Sequence, residues 1–206
     1  MKKTISQATI DRLPLYFRTL RLMESEENKI ISSDELGRKL DITPEQIRKD
    51  LATFGQFGKK GIGYDVHELK EQIGNILGLQ NHWRLAIVGV GHLGGALANY
   101  TNFSSLGFSV VALFDKNSSV IGSAINGIKV NNVIEMNAVI AEAAVDIGVI
   151  TVPAGEAQDV ADLLVAAGVK GIWNFAPIKL SVPPEVSLFN EDLSIGLSAL
   201  SYQMSQ

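Results

Sequence analysis

The chain has 206 residues, 46% hydrophobic and 19% charged, with a formal net charge of −4. That excludes a disordered tail and leaves room for one large folded domain or two small ones. There is no cysteine, which excludes disulfides, thiolate metal sites and cysteine nucleophiles and suits a reducing cytoplasm.

No apolar run approaches the ~20 residues of a membrane span, and the opening MKKTISQATIDRL lacks a signal-peptide core. A soluble cytoplasmic protein without membrane contact is expected. The charge is uneven: residues 1–80 hold 13 Lys/Arg and 12 Asp/Glu, the remainder 5 and 10. Residues 38–60 alone carry six basic and three acidic side chains. An acidic protein can still bind nucleic acid through clustered cations, and the asymmetry predicts two domains with different tasks.

In chain order, Thr4 and Gln7 have capping-box spacing ahead of Ile10, Leu13, Phe17 and Leu20, which predicts a helix. Pro14 within it predicts a bend or a restart. Ser32 and Glu35 cap a short helix holding Leu36 and Leu40, and Asp41-Ile42 is a brief turn. Thr43-Pro44-Glu45-Gln46 then supplies an N-cap, a proline at the first helical position and a glutamine at the third. That helix is predicted to reach about Phe54, with Ile47, Leu51 and Phe54 facing inward. GQFGKKGIGY (55–64) holds four glycines and two lysines, too costly for a helix interior, and reads as a hairpin or wing. Asp65 and Glu68 cap a further helix to about Gly78, and residues 79–83 read as a linker.

From residue 84 the texture changes. LAIVG (85–89), VVALFD (110–115), IGVITV (147–152) and GIWNFA (171–176) have buried-strand length. Helical patterns at 93–102, 132–144 and 156–167 separate them, which predicts a parallel α/β sheet. The tail has Leu193, Leu197, Leu200 and Met204 at helical spacing. It either packs on its own domain or swaps between protomers.

Gly89-Val90-Gly91-His92-Leu93-Gly94 is G-x-G-x-x-G, directly after a strand and opening a helix; Asp115 follows Gly94 by 21 residues. This is the Rossmann dinucleotide fingerprint. Gly89 permits the turn, Gly91 lets a pyrophosphate approach, Gly94 brings helix and strand together, and helix amides face the phosphates. Asp115 would bond the ribose hydroxyls and repel a 2′-phosphate, so NAD(H) is favoured over NADP(H). His92 sits at a variable loop position. Thr151-Val152-Pro153 closes a strand where such folds touch the nicotinamide half, or is simply a strand end. Asn174 could bond the carboxamide or its own turn.

In the first half, two short helices joined by a brief turn match a helix-turn-helix. Its second helix is expected to expose Gln46, Lys49 and Thr53 on one stripe, with Arg48 and Ala52 beside it. Gln can pair with adenine, Arg with guanine, and Lys with guanine or phosphate. Lys59 and Lys60 on the wing would neutralise phosphates. The alternative is a helical cap on an enzyme, with these charges merely solvated.

The chain resembles, over essentially its whole length, the Rex family of redox-sensing transcriptional repressors. The resemblance lies in IRKDLATFGQFGKKGIGYDVHEL (47–69), AIVGVGHLGGALANY (86–100), ITVPAGEAQDVADLLVAAGVKGIWNFAP (150–177) and NEDLSIGLSALSY (190–202). It implies a winged-helix DNA-binding domain at 1–80, a Rossmann NAD(H)-binding domain at 81–189 and a domain-swapped dimerisation helix at 190–206. It implies a homodimer on palindromic operator DNA that NADH closes and releases, derepressing fermentative and respiratory genes. Under it, Arg48 and Lys49 match the DNA-contacting pair, Lys60 the basic wing residue and Tyr100 the tyrosine near the nicotinamide. Arg18 and Asp192 match an allosteric pair whose contact changes between states, and Leu193 stands where some relatives carry an aromatic.

A small NAD-dependent oxidoreductase is the competing class. It would need a proton donor and a substrate site beside the nicotinamide. Only about thirty residues follow the Rossmann segment, and no Tyr-x-x-x-Lys pair occurs. No catalytic residue and no metal ligand is expected.

Overall fold

The computed structural model describes residues 5–24, 30–59 and 61–205, so Thr4 and Lys60 lie outside the described residues. The chain divides into two compact units, Met1–Asn81 and His82–Gln206.

In the first unit, α1 (Gln7–Glu24) runs unbroken through Pro14. The proline is exposed, so water can take over at the carbonyl it leaves unpaired. The buried face is Thr9, Leu13, Tyr16, Leu20 and Met23, and Ile10 is left 40% exposed. The face is turned from the expected apolar stripe because the Thr9 and Tyr16 hydroxyls find a buried partner, Asp50. β1 (Ile30–Ile31) follows. α2 (Ser33–Leu40) starts where the Ser32 side chain accepts from the Glu35 amide, and α3 (Pro44–Phe54) where Thr43 accepts from the Gln46 amide. β2 (Tyr64–Asp65) pairs antiparallel with β1, and a Lys59–Gly63 bridge closes the glycine-rich wing before it. Asp65 caps α4 (Val66–Ile76). Leu13, Tyr16, Leu20, Leu36, Ile47, Leu51, Leu69 and Ile73 form the core, with Phe54 half-buried against it.

The second unit holds β3 (Trp83–Val88), α5 (His92–Ala98), β4 (Phe108–Asp115), β5 (Ala124–Ile125), β6 (Ile128–Asn132), α6 (Met136–Glu142), β7 (Ile147–Ile150), α7 (Ala154–Ala166), β8 (Gly171–Asn174), β9 (Ser187–Asn190) and α8 (Leu193–Met204). Its sheet has the order β5-β6-β4-β3-β7-β8-β9, parallel throughout except for β5 against β6. Alternation along β3 sends Ala86 and Val88 into a core with α6 and α7, and Leu85 and Ile87 into one with Ala98 of α5. Helices on both faces explain why the central strands read as continuous apolar runs. Two helices are shorter than expected: α5 gives way to a 3₁₀ turn at Thr101–Leu106, and another 3₁₀ turn, Val133–Glu135, precedes α6.

Every described residue of α8 is exposed: Leu193, Leu197, Leu200 and Met204 at 63%, 70%, 49% and 79%. Its apolar residues are therefore not packed on their own unit. Among the described residues, no helix is long and apolar enough to cross a membrane.

Candidate functional site

The glycine loop is built by β3, β4 and β7 together. Gly89 follows β3 at φ 92, a left-handed conformation that a side chain resists, and its amide bonds the Phe114 carbonyl at 2.8 Å. A Cβ there would lie 2.8 Å from Val152 Cγ1. A Cβ on Gly94 would overlap the Gly89 carbonyl oxygen, whereas one on Gly91 would meet nothing within 4 Å. Gly94 thus serves packing, and Gly91 borders open space. Val90 is buried, and His92 and Leu93 are exposed at the start of α5.

Asp115 ends β4 beside this loop. Its Oδ2 accepts from the Val90 amide and its Oδ1 from the Asn117 amide, both at 2.8 Å. The Thr151 hydroxyl donates to the carbonyls of Val88 (3.0 Å) and Gly89 (2.7 Å), locking the end of β7 to the loop. Pro153 stands just before α7. Tyr100, 51% exposed, meets Phe103 edge-on at 5.0 Å; Phe103 reaches Trp173 at 6.2 Å and Trp173 reaches Phe175 at 4.6 Å.

Asn174 is fully buried. Its Nδ2 donates to Ala176 O, Ile178 O and Asn190 Oδ1, and its Oδ1 accepts from the Ala176 amide. These bonds hold the turn that follows β8. At the start of α8, Asp192 Oδ1 accepts from the Ser194 hydroxyl (2.6 Å) and amide (2.8 Å), which holds its carboxyl below the usual range. Arg18 is exposed on α1.

The second candidate surface is α3. Arg48 and Lys49 are exposed, and Arg48 Nη1 donates to Ser33 Oγ at 2.7 Å. Thr53 is half-buried, its hydroxyl turned back to the Lys49 carbonyl at 3.0 Å. Lys59 is exposed on the wing. Gln46 and Thr53 both depart from the expected exposed stripe, and Gln46 is half-buried with Nε2 on Asp50 Oδ1 at 2.7 Å.

Asp50 is the residue that sequence reasoning missed. It is 1% exposed, paired bidentately with Arg12 at 2.6 and 2.8 Å and bonded by the Tyr16 hydroxyl at 2.6 Å. Burial opposes its ionisation, yet the bonds from Arg12, Tyr16 and Gln46 outweigh it and hold the pKa at about 2. The bond to Asp50 in turn raises Arg12, while burial and that same carboxylate raise Tyr16. The available signal was position: Asp50 lies on the inward arc with Ile47, Leu51 and Phe54. With this acid withdrawn and paired, the exposed part of α3 is more basic than composition indicates.

Residues 80–178 match the family described as "CoA binding domain" and residues 4–52 the one described as "Putative DNA-binding protein N-terminus". A redox-sensing transcriptional repressor Rex from Clostridium botulinum (strain Eklund 17B / Type B) is 46% identical over 204 residues, covering 99% of this chain and 97% of the relative. Another, from the Type A strain Hall, is 48% identical over 200 residues, covering 97% and 95%. The chain is also similar to crystal structures of the Rex-family repressor RSP. The complex with β-NAD⁺ and operator DNA has a TM-score of 0.92 at 44% identity, covering 98% of this chain and 93% of that one. The complex with β-NADH has a TM-score of 0.91 at 42% identity, covering 98% and 95%. Identity at this level over nearly the whole chain, a span that takes in both the capped helix pair and the Gly89–Asp115 loop, places the chain in the Rex family of redox-sensing transcriptional repressors.

Proposed function

We propose that this chain is a DNA-binding regulator, not an enzyme, that reads the NADH/NAD⁺ ratio. Residues 1–80 bind a palindromic operator, 81–189 bind NADH or NAD⁺, and 190–206 join two copies into a homodimer in the cytoplasm. The observation that carries the reading is the shared loop: Asp115 at the end of β4 accepts from Val90 inside G-x-G-x-x-G, with open space at Gly91. A pyrophosphate fits against Gly91, Val90, His92 and Leu93, and the adenosine ribose against Asp115. Tyr100, Thr151, Val152 and Pro153 face the nicotinamide half in this reading, and Asn174 shapes that end through its own turn. The relatives' NAD⁺, NADH and operator complexes support the same assignment.

Gln46, Arg48, Lys49 and Thr53 of α3 enter the major groove, and Lys59 and Lys60 of the wing meet phosphates. The exposed apolar side of α8 supports burial against a second protomer. Arg18 of one protomer and Asp192 of its partner make a contact in one global state and not in the other, which couples cofactor to DNA. Titrating the protein with NADH, NAD⁺, NADPH and coenzyme A tests the cofactor assignment. NADH must bind more tightly than NADPH and coenzyme A, and equal or tighter binding of coenzyme A overturns it.

A further inference from the structure

Asp50 is too deeply buried to touch DNA, yet it sits on the helix assigned to base readout, one turn after Gln46. Its two oxygens accept from four side chains. Oδ1 takes Thr9 Oγ1 at 3.2 Å, Arg12 Nη2 at 2.8 Å and Gln46 Nε2 at 2.7 Å. Oδ2 takes Arg12 Nε and the Tyr16 hydroxyl, both at 2.6 Å. Three of these partners come from α1 and fix the carboxylate in place. Gln46 is the partner from α3 itself, half-buried in its first turn, the part of the helix that meets base edges in helix-turn-helix proteins.

An ionised carboxylate only accepts hydrogen bonds. The Gln46 atom against it must therefore be the nitrogen, because a flipped amide would set two oxygens together. One N–H is spent on Asp50, and the carbonyl oxygen with the second N–H remains. Adenine presents the complementary pair in the major groove, an N6 donor beside an N7 acceptor. Guanine offers two acceptors, thymine an acceptor and a methyl, and cytosine a donor alone. An amide free to flip serves several of these edges; a fixed one does not.

We propose that Asp50 is a positioning residue for sequence readout, holding the Gln46 amide nitrogen-inward so that Gln46 selects adenine at one position of each half-site. The proposal rests on the repressor reading above. It makes Asp50 a determinant of specificity that touches no nucleotide.

The test uses the full-length protein and duplexes drawn from a library randomised in each half of a palindrome. Affinity is measured for all four base pairs at every position. The wild-type protein should prefer adenine at one half-site position by about 5- to 150-fold, the range of one good bidentate contact. Gln46→Ala should erase that preference and leave the other positions as they were. Asp50→Asn should flatten the same position alone, because an Asn amide accepts either orientation of Gln46. Gln46→Glu keeps Asp50 and its α1 bonds but has no N–H to donate to that carboxylate, so the adenine preference should be lost at the same position alone. Unchanged base preferences in Gln46→Ala or in Asp50→Asn, or a loss equal for all duplexes in every variant, overturns the proposal. A wild-type protein that selects no duplex overturns the repressor reading itself, an outcome distinct from both.

Discussion

The Asp115 carboxylate and the Val90 amide, 2.8 Å apart, tie the end of β4 to the glycine loop at the end of β3. The acid that would receive a ribose therefore also shapes the turn that would receive the phosphates. A charged hydrogen bond of this kind is worth about 1.5–3 kcal/mol. Asp115→Ala is expected to weaken NADH binding by about 10- to 150-fold and to narrow the gap between NADH and NADPH, measured by calorimetric titration. Unmodified protein that binds NADPH as well as NADH would contradict the assignment.

Two glycines of the same loop should separate folding from binding. Gly94→Ala places a methyl group on the Gly89 carbonyl and should lower stability by more than about 1 kcal/mol. Gly91→Ala meets no protein atom within 4 Å, so thermal stability should stay within about 0.5 kcal/mol while NADH affinity falls. Thermal melts with and without NADH check both, and intact NADH binding in Gly91→Ala would count against the pyrophosphate position.

Arg48→Ala or Lys49→Ala should cost about 1–3 kcal/mol of operator affinity each and leave NADH affinity unchanged. Operator affinity of the unmodified protein should also fall steeply with salt. A gel shift insensitive to both substitutions would remove α3 from the interface.

Asp50 predicts an acid-dependent stability. Its pKa is about 2 in the folded chain against an ordinary 3.8, so the unfolded state takes up the proton first. The contribution, about 2 kcal/mol, is whole above pH 3.8 and is lost as pH falls through about 2. Urea unfolding at a series of pH values should show this loss in the unmodified protein. Asp50→Asn should be less stable at neutral pH by about 2 kcal/mol, because the partly exposed Arg12 loses its counter-charge and one of its two acceptor oxygens, and should lack the acid-dependent component. Parallel pH profiles for the two proteins would contradict it.

Helix starts were legible because capping is a local rule: Ser32, Thr43 and Asp65 each accept from the amide three residues on. The parallel sheet was legible in the apolar runs of β3, β4, β7 and β8. β5, β6 and β9, of two, five and four residues, are too short or too polar to show a period. The buried face of α1 was hidden for a different reason. Tyr16 and Thr9 go inward only because Asp50, 34 and 41 residues away in sequence, satisfies their hydroxyls. The burial of Asn174 was likewise hidden, because one of its partners, Asn190, lies on the neighbouring strand.

The proposed Arg18–Asp192 contact between protomers makes the coupling testable apart from binding. Asp192→Ala should reduce the factor by which NADH lowers operator affinity, with little change in NADH affinity for the DNA-free protein. An unchanged factor would leave Asp192 as the cap of α8 and nothing more.

Operator affinity measured on one duplex in the presence of saturating NADH, saturating NAD⁺ and neither tests the central claim most directly. NADH should weaken binding by about 5- to 150-fold, the range of a 1–3 kcal/mol coupling, while NAD⁺ leaves the operator occupied. Equal operator affinity with NADH and NAD⁺ would contradict a redox-sensing role, since a ligand without differential affinity for two states shifts neither.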